Sequence, residues 1–194
     1  FGTETSALCT SGDGDTPRGL VETWNGSAWT ETTDLNTGRA GIASCGTVPS
    51  GMVYGGPVPG GGKTELWNGS SWTETTDFST AREVSNNGAG ASSDSALASA
   101  GFASTYSAAT EEWTANAPVG AWASSTAVNN ARSYGAAAGE YTAAIFFGGA
   151  TPSAYVGNTE TWDGSSWTEV GDMNTGRREV GGSTRGTTTA SLVF

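Results

Sequence analysis

Apolar runs and alternating segments follow one another along this chain with a common rhythm. Gly51-Met52-Val53-Tyr54 is a short apolar run that closes on Gly55-Gly56, which predicts a buried strand ending in a turn. A Gly/Pro-rich loop follows over residues 57–62. Lys63-Thr64-Glu65-Leu66-Trp67 and Trp72-Thr73-Glu74-Thr75 then alternate in character, with Asn68-Gly69-Ser70-Ser71 between them. Asn-Gly between alternating segments is a strong hairpin signal, because both residues accept the positive φ that such a turn requires. After Arg82 come small residues, 84–91, and then the apolar Ser95-Ala96-Leu97-Ala98. Each unit therefore has four short strands: a (small residues after the arginine), b (the apolar run), c (ending in a first Trp) and d (starting with a second).

The unit recurs. Trp24 and Trp29 are followed by Arg39, Trp67 and Trp72 by Arg82, Trp113 and Trp122 by Arg132, and Trp162 and Trp167 by Arg177. In every copy the second Trp precedes the arginine by ten residues, and the first Trps stand 43, 46 and 49 residues apart. All eight Trps belong to the pattern, and a period in the forties denotes an array of similar supersecondary units.

An apolar run, a glycine pair, and then two spaced aromatics resemble the kelch repeat of β-propellers. Tyr141-Thr-Ala-Ala-Ile-Phe-Phe147-Gly148-Gly149 with Trp162 and Trp167 is the cleanest copy, and Gly55-Gly56 with Trp67 and Trp72 the second. The chain departs from the pattern in carrying Trp on strand c where kelch more often has Tyr. It has Ser11-Gly12 and Ala100-Gly101 in place of two glycine pairs, and a c–d connection stretched over residues 114–121. The phrasing is also similar to kelch-like repeats in predicted proteins of marine bacteriophages. The resemblance implies an all-β fold, a β-propeller of four-stranded blades, in one repeat domain over residues 1–194. It divides into a partial blade 1–37, blades at about 38–80, 81–130 and 131–175, and a partial blade 176–194. Residues 1–12 read as the end of a strand a plus a full strand b. Residues 182–194 supply a strand a and a further strand b, Thr189-Ala-Ser-Leu-Val-Phe194. Two b strands cannot complete one blade. Four c–d hairpins with five b strands fit an incomplete segment of a larger ring of five to seven blades. A five-bladed ring lacking one hairpin, and several copies assembling together, are variants.

In such a fold small strand-a residues suit the crowded centre, while the Trps fill the widening gap between neighbouring blades. Trp24 and Trp29 are expected to be cross-strand neighbours. A second reading makes some Trps exposed platforms for sugar stacking. Glu22, Glu65, Glu111 and Glu160 precede the first Trp by two residues, and Glu31, Glu74 and Glu169 follow the second by two. Like charges directly opposite are destabilising, so Arg39, Arg82, Arg132 and Arg177 are expected to brace strand ends or neighbouring blades through bidentate bonds to carboxylates or backbone carbonyls. The alternative is a ring of arginines offered to an anionic ligand such as an acidic polysaccharide.

The net charge of -11, with one Lys and seven Arg, argues against nucleic acid and anionic membrane surfaces as partners. No apolar run approaches the length of a membrane span, so membrane insertion is not expected. The chain has no histidine, which removes the commonest general base, the Ser-His-Asp triad and the usual zinc ligands. Its carboxylates recur with the repeat, whereas an active site normally occurs once. A non-enzymatic protein without cofactor or bound metal is the expectation. Asp13-Gly14-Asp15 lacks the further acidic positions and closing Glu of an EF-type calcium loop, and reads as a solvated turn. Cys9 falls on a strand b in register with Val53, Phe146 and Val193, and Cys45 on the next strand a. Small core residues are one reading and a disulfide between adjacent blades is the other; two cysteines do not decide between them.

The b–c loops differ in every repeat: residues 13–19, 57–62, 102–106 and 150–157. Up-and-down connectivity places them on the face that carries the d–a loops, and variable loops on a rigid scaffold are where recognition usually resides. Arg18, Lys63, Tyr106 and Tyr155 are the candidate ligand-binding residues on that face. The expected function is a binding or display module, an extracellular or virion-surface adhesin that recognises host surface glycans or a host-surface protein. A structural decoration or spacer domain, in contact with other subunits of a multi-protein assembly, is the alternative.

Overall fold

The structure, a computed structural model, describes residues 1–12, 18–57, 61–85, 88–115, 120–182 and 186–191, with Arg18 described as backbone alone. It is all-β, built of four four-stranded antiparallel sheets in sequential order. The first holds β1 (Gly2–Thr3), β2 (Ser6–Gly12), β3 (Arg18–Trp24) and β4 (Trp29–Glu31); the second β5 (Ile42–Thr47), β6 (Ser50–Gly55), β7 (Thr64–Trp67) and β8 (Trp72–Thr75). The third holds β9 (Gly88–Ser92), β10 (Ser95–Phe102), β11 (Tyr106–Thr114) and β12 (Ala121–Ser125); the fourth β13 (Ala136–Glu140), β14 (Ala143–Phe147), β15 (Thr159–Trp162) and β16 (Trp167–Glu169). Beyond the fourth sheet a Thr187–Ala190 bridge continues the chain, while the last three residues of the expected strand at 189–194 lie outside the described ones.

Local chemistry fixes the c–d hairpins. Asn25 Oδ1 accepts from the amides of Ser27 and Ala28, and Asn68 Oδ1 from those of Ser70 and Ser71, all at 2.9–3.0 Å. The glycine that follows has φ of 94° in the first turn and 96° in the second, a conformation a Cβ would disfavour. In the fourth sheet Asp163 replaces the asparagine and accepts from Ser165 and Ser166 amides and hydroxyls. These bonds, led by the Ser166 amide, hold its carboxyl at about 2, below the ordinary 3.8. Asp163 therefore stabilises this hairpin fully above pH 4 or so, and the contribution disappears as the pH falls toward 2. Asp163→Asn, which restores the residue of the first two turns, should remove that acid dependence. Amide hydrogen exchange at Ser165 and Ser166, followed from pH 5 to 2, checks it; equal acid sensitivity in both proteins would refute the assignment.

Packing between the sheets is apolar and repeats with the sequence. Leu8, Val21 and Leu35 meet Val53, Trp67 and Trp72 between the first and second sheets. Met52, Tyr54 and Phe78 meet Ala98, Trp113 and Trp122 between the second and third, and Leu97 and Val128 meet Phe146, Trp162 and Trp167 between the third and fourth. The strand-a elements β5, β9 and β13 lie against one another, with Ala43, Ala89, Ala136 and Ala138 buried along them. Small side chains there allow the close approach.

Two expectations need correction, and one open question is answered. Tyr106 is not in a loop: Phe102 and Tyr106 pair across β10 and β11, so the connection shrinks to residues 103–105. Cys9 is exposed, although it does share the register of Val53 and Phe146, each opposite the strand-c glutamate. The difference is positional, since no sheet among the described residues lies over the face of β2 that carries Cys9. Cys9 and Cys45 are also not bonded to each other; both are free. Cys45 is buried, its thiol donates to the Ser92 carbonyl, and burial pushes it up to about 12.

Candidate functional site

Two constellations carry the repeated and the unrepeated chemistry. The first is a joint between sheets. Each arginine leaves the end of one sheet and enters the next: Arg39 pairs with Glu65, Arg82 with Glu111 and Arg132 with Glu160. All six side chains are almost wholly buried. Nε donates to a strand-b carbonyl, that of Gly55, Ala100 or Gly148, at 2.9–3.0 Å. Nη1 is shared between the carboxylate Oε1 and a carbonyl two residues upstream. The expected bidentate fork is therefore not formed, because the carbonyl takes Nε and Oε2 is claimed elsewhere. Oε2 accepts from the amide and side chain of Asn36, Ser79 or Asn129, the polar residue three before each arginine. The guanidinium carbon lies 4.7 Å from the Phe78 ring centre in Arg82 and 4.1 Å from that of Phe146 in Arg132.

The glycine pair explains itself at this joint. The Gly55 carbonyl receives the Arg39 Nε, while the Gly56 amide donates to the Arg82 carbonyl at 3.2 Å. Both glycines have positive φ, and a Cβ on Gly55 would lie 2.2 Å from Val84 Cγ2. Ala100 takes the first position of the pair in the third sheet at φ 57°. In the first sheet Ser11 holds it at φ 68°, and its hydroxyl donates to the Arg39 carbonyl.

Buried arginines cannot bind an external anion, so the reading of Arg39, Arg82 and Arg132 as a ring offered to a ligand is overturned. Arg177 is exposed. The Trp pairs Trp24–Trp29, Trp67–Trp72, Trp113–Trp122 and Trp162–Trp167 face each other across their hairpins, with ring centres 5.0–5.6 Å apart. The last three pairs are buried; in the first, Trp24 is half-buried and Trp29 is 49% exposed.

The second constellation is the loop face of the fourth sheet. Tyr106 and Tyr155 line one open depression of about 420 Å³, together with residues 150–154. Tyr155 is 58% exposed. The Arg178 guanidinium sits 5.1 Å from the Tyr155 ring centre and 6.0 Å from that of Tyr134, and it pairs with Glu179 at 3.3 Å. Tyr134, at φ 59°, donates to Glu83 at 3.5 Å; partial burial and the Glu83 carboxylate raise it above the ordinary tyrosine value. Phe102 packs edge-on against Tyr106 at 5.3 Å. The b–c and d–a loops thus meet where Arg178 lies over Tyr155, and two tyrosines with small and hydroxyl-bearing residues of 150–154 line a shallow opening. Aromatic faces with a few convergent polar groups suit a ligand that is apolar on one side and hydroxylated on the other.

Lys63 does not line this depression. It is ion-paired with Glu74 across β7 and β8, and the bond to that carboxylate raises it above the ordinary lysine value. Asn158, at the equivalent place, donates to Glu169 at 2.8 Å, so the position relieves the strand-d glutamate. The Arg18 side chain and Asp13-Gly14-Asp15 lie outside the described residues. Among the described residues no three His, Cys, Asp or Glu side chains converge on a point where a metal could sit. Sequence reasoning misses Arg178 and Tyr134. The signal for Arg178 is the absence of repetition: no other repeat arginine is followed by a second arginine.

No protein-family model matches the chain, and no curated protein matches it. Solved structures do resemble it. One, described as the structure of YjhT, superimposes with a TM-score of 0.72 over 93% of this chain and 71% of that chain, at 13% identity. At that identity the likeness concerns the fold alone, an all-β arrangement of four-stranded antiparallel sheets compatible with a propeller-like architecture.

Proposed function

We propose that the chain is a segment of a larger kelch-like β-propeller, of five to seven blades, that serves as a non-enzymatic binding module. Its ligand is a surface glycan, and its setting is a virion or cell-surface appendage. The observation that carries this reading is the convergence of Tyr106 and Tyr155 on one depression, with Arg178 stacked on the exposed Tyr155 ring. The repeated side chains are consumed by architecture, whereas among the described residues this cluster of Tyr106, Tyr155 and Arg178 has no copy in another repeat. Tyrosine faces stack on the C–H faces of sugars, and the Arg178 guanidinium beside Tyr155 supplies directional bonds to hydroxyls.

A glycan array and whole-cell binding screen tests the proposal. Saturable binding is expected, lost or weakened about tenfold or more in Tyr155→Ala, with an unchanged melting temperature because the side chain is exposed. A folded protein that binds no glycan and no cell, or whose binding ignores Tyr155 and Tyr106, would refute it. The spacer reading would then take its place, favoured by the uncovered face of the first sheet that exposes Trp29 and Cys9.

A further inference from the structure

We infer that the uncovered face of the first sheet is a socket for an arginine-bearing blade end of the type apolar-(Asn/Ser)-Xaa-Xaa-Arg, supplied by a further blade. The inference rests on the larger-ring reading but is independent of the glycan. Three internal joints define the socket. Each needs a strand-c glutamate, a strand-b carbonyl ahead of it, and the strand-d Trp that closes over the incoming loop. Glu65, Gly55 and Trp72 do this for Arg39, and Trp72 Nε1 bonds the Thr33 carbonyl of the entering segment at 3.1 Å.

The first sheet carries the same three groups with no plug. Glu22 stands opposite Cys9 and Glu31, as Glu65 stands opposite Val53 and Glu74. It is exposed and has no cation partner among the described residues. Ser11, at φ 68°, holds the position of Gly55, Ala100 and Gly148, whose carbonyls accept the arginine Nε at the internal joints. Cys9, Ser11, Leu20, Glu22 and Glu31 line a cavity of about 260 Å³ at this place. Trp29 is 49% exposed where Trp72 and Trp167 are each 6% exposed.

The complementary half lies at the other end. Arg177 and Asn174 are exposed, in register with Arg39 and Asn36. A second copy of this chain is nevertheless not the occupant. Thr187 and Ala190 stand ten and thirteen residues after Arg177, as the paired Ser92 and Ser95 stand after Arg82. The segment after Arg177 thus brings its own a–b hairpin, which would need the space held by β1 and β2 of a second copy.

The peptide Thr-Thr-Asp-Leu-Asn-Thr-Gly-Arg, a copy of residues 32–39, is the probe, titrated to millimolar concentration with the Trp29 indole resonance as readout. Saturable binding is expected, weakened about tenfold or more by Glu22→Gln and by alanine in place of the peptide arginine. Glu140→Gln, at the exposed end of β13 and away from the cavity, should bind like the parent. Absence of saturable binding, equal binding by the Glu22→Gln protein with circular dichroism unchanged, or concentration-dependent self-association abolished by Glu22→Arg would each overturn the inference. The last outcome would identify a second copy as the occupant. None of these readouts involves glycan, so failure here and failure of the binding-module reading are separable.

Discussion

Arg82→Ala should lower the melting temperature by roughly 6–20 °C. Removing one partner of a buried ion pair costs about 3–5 kcal/mol, because the remaining charge keeps its desolvation penalty and loses its compensation. Each kcal/mol displaces the midpoint by about 2–4 °C in a chain of this size. In the variant, Glu111 would remain 1% exposed with only Ser79 to satisfy it, and the Ala100 carbonyl would lose its donor. Arg82→Lys should recover only part of the loss. A lysine ammonium cannot reach the Ala100 and Thr80 carbonyls and the Glu111 carboxylate from one planar fork. Lys63→Ala is the internal control. Its pair with Glu74 is substantially exposed, and such pairs contribute at most about 1 kcal/mol. A thermal scan that gave Arg82→Ala and Lys63→Ala similar midpoints would refute the buried joint as the element that fixes one sheet against the next.

Much of this joint is legible in the sequence. Strict recurrence of the two Trps and the arginine announced an array, and the Asn-Gly and Asp-Gly turns announced the hairpins. Adjacent sheets were therefore expected to share a repeated contact, and the like charges of Glu65 and Glu74 required a cation nearby. Which carboxylate each arginine would choose could not be read, because the partner lies in the following repeat and depends on how sheets stack. Nor could the competition for Oε2 be seen: it comes from Asn36, Ser79 and Asn129, residues that look like ordinary loop polars.

The ligand face was harder to read for the same reason. Tyr106 and Tyr155 are 49 positions apart, and only the return of strands brings them to one depression. Loop position makes Lys63 a candidate for ligand binding, whereas the pairing of β7 with β8 sets it beside Glu74. Cys9 was misplaced by a different mechanism. Register specified its neighbours along the sheet, whereas burial depends on whether another sheet lies above.

That dependence on position gives a second large effect. Trp122→Ala should cost about 3–5 kcal/mol, while Trp29→Ala, at the same place in its repeat, should cost about 1 kcal/mol or less. Trp122 packs against Phe78 at 4.4 Å, Tyr54 at 5.0 Å and Trp113 at 5.6 Å, and its Nε1 donates to the Thr64 hydroxyl at 2.9 Å. Truncation opens a cavity walled by three rings that belong to two sheets, which cannot collapse without moving both. Trp29 touches Trp24 at 5.4 Å and is otherwise half in solvent, so its loss removes one cross-strand contact. Trp122→Phe separates the contributions: it retains most of the apolar contact but leaves the buried Thr64 hydroxyl without its donor, at about 1–3 kcal/mol. Denaturant titration of the three variants measures the ranking. Equal losses at Trp122 and Trp29 would mean that the hairpin itself, and not the sheet above it, determines what each tryptophan contributes. The uncovered face of the first sheet would then have no energetic claim on a partner.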